Sequence, residues 1–100
     1  MRDVEFEKYL DTDANITSKD KAVRSRMTKA RKIEQHFNVS LDSVVADDKK
    51  MFDILCRIKK ELDDSNGAIS NALRKYYLFS NGRDFPKLSD YLDSEVQNWD

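Results

Sequence analysis

Only two glycines and one proline occur in this chain of 100 residues. A turn-rich β architecture draws on these residues at its many reversals, so their scarcity works against hairpins and sandwiches. The long stretches rich in Lys, Glu, Asp, Leu and Ala favour helices instead. The same three residues mark where the chain must turn. Gly67 closes the run Asp63-Asp64-Ser65-Asn66, Gly82 follows Asn81, and Pro86 follows Phe85. The expectation is an all-α chain punctuated at those points.

Apolar spacing divides the chain further. Residues 3–11 form a short amphipathic segment with Phe6, Tyr9 and Leu10 on one side. Asn15-Ile16-Thr17-Ser18 then breaks it and offers N-cap candidates, although Lys21 stands where a capping box wants Glu. A long helix is expected over 18–37, because at about 100° per residue Val23, Met27, Ala30, Ile33 and Phe37 share one arc. Asn38 ends it. Residues 39–45 are too short for a strand in this context and read as a connector or single-turn helix whose Leu41, Val44 and Val45 plug the core.

Asp47-Asp48 starts the next helix, which runs to about Leu62 on the stripe Met51, Leu55, Ile58 and Leu62, with Ile54 and Phe52 on its flanks. Acids at its start and Lys59-Lys60 near its end both suit the helix dipole. A helix over 68–81 presents Ile69, Ala72, Leu73 and Tyr76, and Asn81-Gly82 is its stop. Leu88, Tyr91, Leu92, Val96 and Trp99 recur at helical spacing in 87–99. The reading is one helical domain over 1–100, with a core over 3–82 and a C-terminal amphipathic segment. It is a compact bundle of four to six helices.

Several function classes lose support. No apolar run approaches the roughly 20 residues that span a bilayer, and the acidic N-terminal stretch is wrong for a signal peptide. A soluble, cytoplasmic protein with no membrane partner is expected. Cys56 is the only cysteine and His36 the only histidine, so neither a disulfide nor a thiolate or two-His metal cage forms within one chain. His36 falls towards the polar side of its helix, and Cys56 beside an apolar stripe reads as a buried structural thiol. Asp47-Asp48 and Asp63-Asp64 sit at helix ends, where solvation and dipole effects account for them. No glycine-rich phosphate loop occurs. The expectation is no enzyme, no metal and no cofactor.

Charge is unevenly placed around a net −1. Residues 18–37 carry seven Lys or Arg against two acids, a net +5, while 1–17 and 83–100 each sum to −3. Opposite the apolar arc of 18–37 lie Lys21, Arg24, Thr28, Arg31, Lys32 and Gln35. Rows of this kind bind phosphate backbones, because each cation near a phosphate releases counterions and Thr or Gln adds a hydrogen bond. The bland alternative is a solvated face, or charge blocks that pair with one another. Arg26 differs, since it falls inside the apolar arc, and a partly buried anchor bond to Glu34 is expected of it.

A second candidate lies in NALRKYYLFSNG. Tyr76 belongs to the core arc, whereas Ser70, Arg74, Tyr77 and Asn81 fall on a neighbouring side open to base edges or phosphates. Leu78 projects away from the core arc and needs cover. Together with Tyr91, Leu92, Val96 and Trp99 it makes a candidate surface for a second copy of the chain or another protein.

The order of these elements resembles a known module. A helix reading SKDKAVRSRMTKARKIEQHF, the connector NVSLDSVVADD, a long apolar helix and then AISNALRKYYLF is similar to the SAM-like N-terminal core-binding domain of tyrosine recombinases of the phage-integrase type. A related helical module precedes the nuclease domain of some restriction and His-Asn-His endonuclease proteins. The resemblance covers roughly residues 3–82. It implies a DNA-clamping module without catalytic residues of its own, with Arg24, Thr28, Arg31 and Lys32, then Arg74, Lys75 and Tyr77, facing double-stranded DNA. No recombinase or nuclease catalytic set follows Gly82, which implies a free-standing relative from a mobile element or a piece of something longer. Three readings stand at this point: a DNA-binding module, a protein-interaction or oligomerisation module, and a relative that keeps only the fold.

Overall fold

The computed structural model describes residues 1–12 and 19–91. Five helices follow one another: α1 (Asp3–Asp11), α2 (Lys19–Phe37), α3 (Leu41–Val45), α4 (Asp48–Glu61) and α5 (Ala68–Asn81). A further helical turn begins at 88–91. Among the described residues there is no strand, so the all-α bundle is observed. The connector 39–45 contains the short helix α3, which starts at Leu41.

Each helix boundary has a local cause. Asn38 takes a left-handed φ of 53°, and the Val39 amide reaches back to the Glu34 carbonyl at 3.1 Å, which closes α2 with a Schellman-type turn. Asp47 opens α4 by accepting from the Lys49 amide at 2.9 Å. Gly67 has φ 74°, a conformation that costs other residues strain, and it turns the chain into α5. Asp64 then caps α5. Its carboxylate accepts from the Ile69 amide at 2.7 Å, the Ser70 amide at 3.1 Å and the Ser70 hydroxyl at 2.6 Å. Gly82, with φ 73°, ends α5 by donating to the Leu78 carbonyl at 2.8 Å.

α2 lies between α1 and α5, and α3 with α4 closes the bundle. The core draws on every helix: Phe6 and Leu10, Val23, Met27, Ala30 and Ile33, Leu41, Val44 and Val45, Met51, Ile54, Leu55 and Ile58, and Ile69, Leu73 and Tyr76 are all buried. The periodic arcs therefore point inward as expected. Phe37 is the exception on α2: it is half-buried at the edge, with the Arg57 guanidinium 4.9 Å above its ring. Cys56, expected to be buried, is also half-buried.

Two tyrosines of α5 bolt the layers together. Tyr76 packs edge-on against Phe6, with centroids 4.9 Å apart, and its hydroxyl donates to Asp42 while accepting from the Arg2 amide at 2.9 Å. Tyr77 is fully buried as well. Phe85, returning from beyond Gly82, covers its ring edge-on at 5.2 Å, and its hydroxyl donates to Asp48 at 2.8 Å. The open flank expected for Tyr77 is thus closed by the chain itself.

Candidate anion-binding groove

The bases of α2 are divided between two flanks of the helix. Arg24, Thr28 and Arg31, with Met27 between them, line a shallow depression against Glu7 of α1. Arg31 donates to Asp3 there at 3.1 Å, with both side chains about half exposed. This flank is therefore a mixed-charge seam between a basic helix and an acidic one. Lys21 and Lys32 are exposed on the same helix.

The other flank faces α5. Ala22, Ser25, Arg26 and Lys29 of α2 meet Ala68 and Asn71 of α5 in one concavity. It continues into a second of about 240 Å³, where Arg26 and Asn71 are joined by Arg74, Lys75, Leu78 and Asp84. A third stretch passes Asn71 and Arg74 towards Lys59, Ser65 and Leu88. Asn71 borders all three, so they adjoin one another along α5 as one groove between α2 and α5 with a further stretch between α5 and α4.

Cations outnumber acids along it: Arg26, Lys29, Arg74, Lys75 and Lys59 against Asp84 and Asp64. The two acids are not equivalent. The Asp64 carboxylate is already occupied by the α5 amides and Ser70, so little of its acceptor capacity is left for the groove. Asp84 remains close enough to favour the charged form of Arg74.

Each cation is held differently. Lys29 donates to Ser25 one turn back, a neutral partner that leaves its charge uncompensated. Arg74 donates to the carbonyls of Phe85 at 3.0 Å and Pro86 at 3.3 Å, which fixes the returning chain along the groove wall. Burial lowers its pKa below the usual arginine value, against the opposing pull of Asp84, yet a guanidinium stays charged at neutral pH. Arg26 does not bond Glu34. That carboxylate instead accepts from the Leu41 amide at 2.9 Å and from the Met1 ammonium at 3.0 Å. The sequence offered Arg26 a nearby acid, but the start of α3 and the N-terminus take it.

The remaining expected site residues fall into place around this groove. Arg74 and Lys75 line it. Tyr77 does not, because it is buried under Phe85, while Ser70 borders only the third stretch, largely buried with its hydroxyl given to Asp64. The Asn81 side chain is spent on the Val45 carbonyl at 3.1 Å and the Tyr77 carbonyl at 3.2 Å. Leu78 is not an uncovered outward residue; it is half-buried and forms an apolar part of the groove wall. Tyr91 is half-buried too, stacked on Phe52 at 4.9 Å and next to Phe85 at 5.5 Å. Leu92, Val96 and Trp99 lie outside the described residues. Among the described residues, the exposed large hydrophobic side chain is Val4.

Lys29 and Asn71 escaped the sequence reading, and Arg26 was given another role. A signal was present for Arg26. It is a charged residue inside an apolar arc whose i−4 and i+4 neighbours, Ala22 and Ala30, are too small and apolar to engage it. Nothing in the local pattern marked Asn71, because its importance comes from the docking of α5 on α2.

Among the described residues no group of three or more His, Cys, Asp and Glu side chains gathers as metal ligands would, and no helix is long and apolar enough to cross a membrane. The chain matches no protein-family model, no curated protein and no solved structure.

Proposed function

We propose that this chain is a non-catalytic, cytoplasmic module that binds duplex DNA through its phosphates, with the α2–α5 groove as the contact face. The observation that supports it is the groove's composition. Two helices supply Arg26, Lys29, Arg74 and Lys75 to two adjoining concavities that share Arg26 and Asn71, with Asp84 the single acid among their lining residues. A row of cations at roughly helical spacing follows a phosphate backbone without reading bases. The resemblance to the SAM-like core-binding module of tyrosine recombinases points the same way, and with it an origin in a mobile element or phage.

The α1 flank fits this role less well, because Asp3 and Glu7 stand beside Arg31 and Arg24 and repel phosphates. The interaction-module reading has little to rest on in the described residues, since Leu78 and Tyr91 are both half-buried within the chain's own packing.

Fluorescence anisotropy of a labelled duplex against salt concentration tests the proposal. Engagement of three or four phosphates predicts a log–log slope of about −2.7 to −3.6. No binding at low salt, or binding indifferent to salt, contradicts it.

A further inference from the structure

Arg26 Nε is, among the described residues, the one buried side-chain nitrogen or oxygen with no hydrogen-bond partner. A buried donor on a permanently charged group is costly to leave unmade, and it marks a guanidinium that the fold does not satisfy on a residue bordering two concavities. Its surroundings narrow the choice of partner. Ala22 and Ala30 flank it along α2, Glu34 is committed to α3, and Lys29 and Arg74 add positive charge to the same groove against Asp84. That field favours an anion over a cation. Asn71, common to both concavities that Arg26 lines, brings an amide donor beside it.

The α5 N-terminus does not compete for the anion. Its Ala68 amide donates to Asn66 at 3.1 Å, and the Ile69 and Ser70 amides are taken by Asp64. An anion in this groove therefore meets side chains, not a helix end. A guanidinium fork matches two oxygens of a tetrahedral phosphate, and a neighbouring amide suits a third.

We propose that Arg26, with Asn71 beside it, seats one phosphate group, either a diester of a nucleic-acid backbone or a free phosphate ion. The inference rests on the reading of the groove as anion-binding, and it assigns Arg26 the anchoring contact within it. Lys29 and Arg74 supply field rather than a specific fork.

The test follows the Arg26 Nε–Hε resonance of the isotope-labelled full chain by NMR. Inorganic phosphate is added in one arm and a short duplex in the other, with chloride holding the ionic strength constant. A saturable Arg26 shift is expected. Arg26→Lys keeps the charge but loses the fork, and should weaken the occupying ligand by about tenfold or more, while Lys60→Gln on α4 stays within about twofold. A shift with the duplex alone supports the seat and identifies a diester as its occupant. A shift with phosphate alone supports the seat but overturns DNA as the groove's ligand. No Arg26 shift in either arm overturns the seat, even if the duplex binds elsewhere in the groove. Equal affinity of Arg26→Lys and the parent chain also overturns it, leaving charge alone as the groove's contribution.

Discussion

The Tyr77 hydroxyl donates to the Asp48 carboxylate at 2.8 Å, tying the middle of α5 to the first turn of α4. The bond lies beneath Phe85, and Arg83 approaches the same carboxylate at 3.6 Å. Tyr77→Phe keeps the ring but strands a partly buried acceptor. A loss of about 1–2 kcal/mol is expected in chemical denaturation, with the helical circular dichroism of the native state unchanged.

The same bond makes stability depend on pH in the alkaline range. Burial, then the hydrogen bond to Asp48, push the Tyr77 pKa from 10.0 up to about 12. A phenol that holds its proton more tightly when folded stabilises the fold fully below its unfolded pKa. That contribution is lost as pH rises from about 10 to about 12. Denaturation midpoints should therefore fall less steeply across this window for Tyr77→Phe than for the parent chain.

Asp64 is the second point of leverage. It accepts from two α5 amides and the Ser70 hydroxyl, so Asp64→Ala leaves three donors unmet at one helix start. A destabilisation of about 2 kcal/mol is expected, at the upper end for an N-cap. Amide exchange should accelerate first at Ile69 and Ser70. A uniform acceleration across α1 to α5 would show instead that the cap is coupled to global unfolding.

Glu34 joins the middle of the chain to its beginning through the Leu41 amide and the Met1 ammonium. Glu34→Ala should cost about 1.5–3 kcal/mol, since a charged acceptor is withdrawn from two donors. Glu34→Gln retains the acceptor for Leu41 and should recover roughly half of that loss. Thermal or urea unfolding of the two variants side by side reads the difference.

Much of this architecture was legible from spacing. Val23, Met27, Ala30 and Ile33 are buried where a helical wheel puts them, and Gly67 and Gly82 turn the chain where their rarity suggested. What spacing did not reveal depends on contacts between distant segments. Tyr77 sits on a flank that a wheel leaves open, and only the return of Phe85 beyond Gly82 closes it. Asp64 reads as a solvated turn residue at a helix end, but Gly67 swings the chain so that the carboxylate caps α5. The stripe opposite the apolar arc of α2 read as an open basic row, and Arg26 as an anchor within the arc, yet the docking of α1 and α5 decides what each flank meets. Arg24 and Arg31 fall beside acids, and Arg26 and Lys29 into the groove. A charge count along the chain carries no record of which neighbour each flank will meet.

The central claim is that the α2–α5 groove, and not the α1 flank, is the anion-binding face. Two double variants with the same change in net charge separate the two faces: Lys29→Glu in the groove with Lys59→Glu in its adjoining α4–α5 stretch, and Arg24→Glu with Lys32→Glu away from both. Duplex binding is measured for each across a salt series. The groove pair should bind at least about tenfold more weakly and flatten the salt slope by about 2, while the other pair keeps the parent slope. Equal losses in both pairs, or a larger loss in the Arg24–Lys32 pair, would contradict the account.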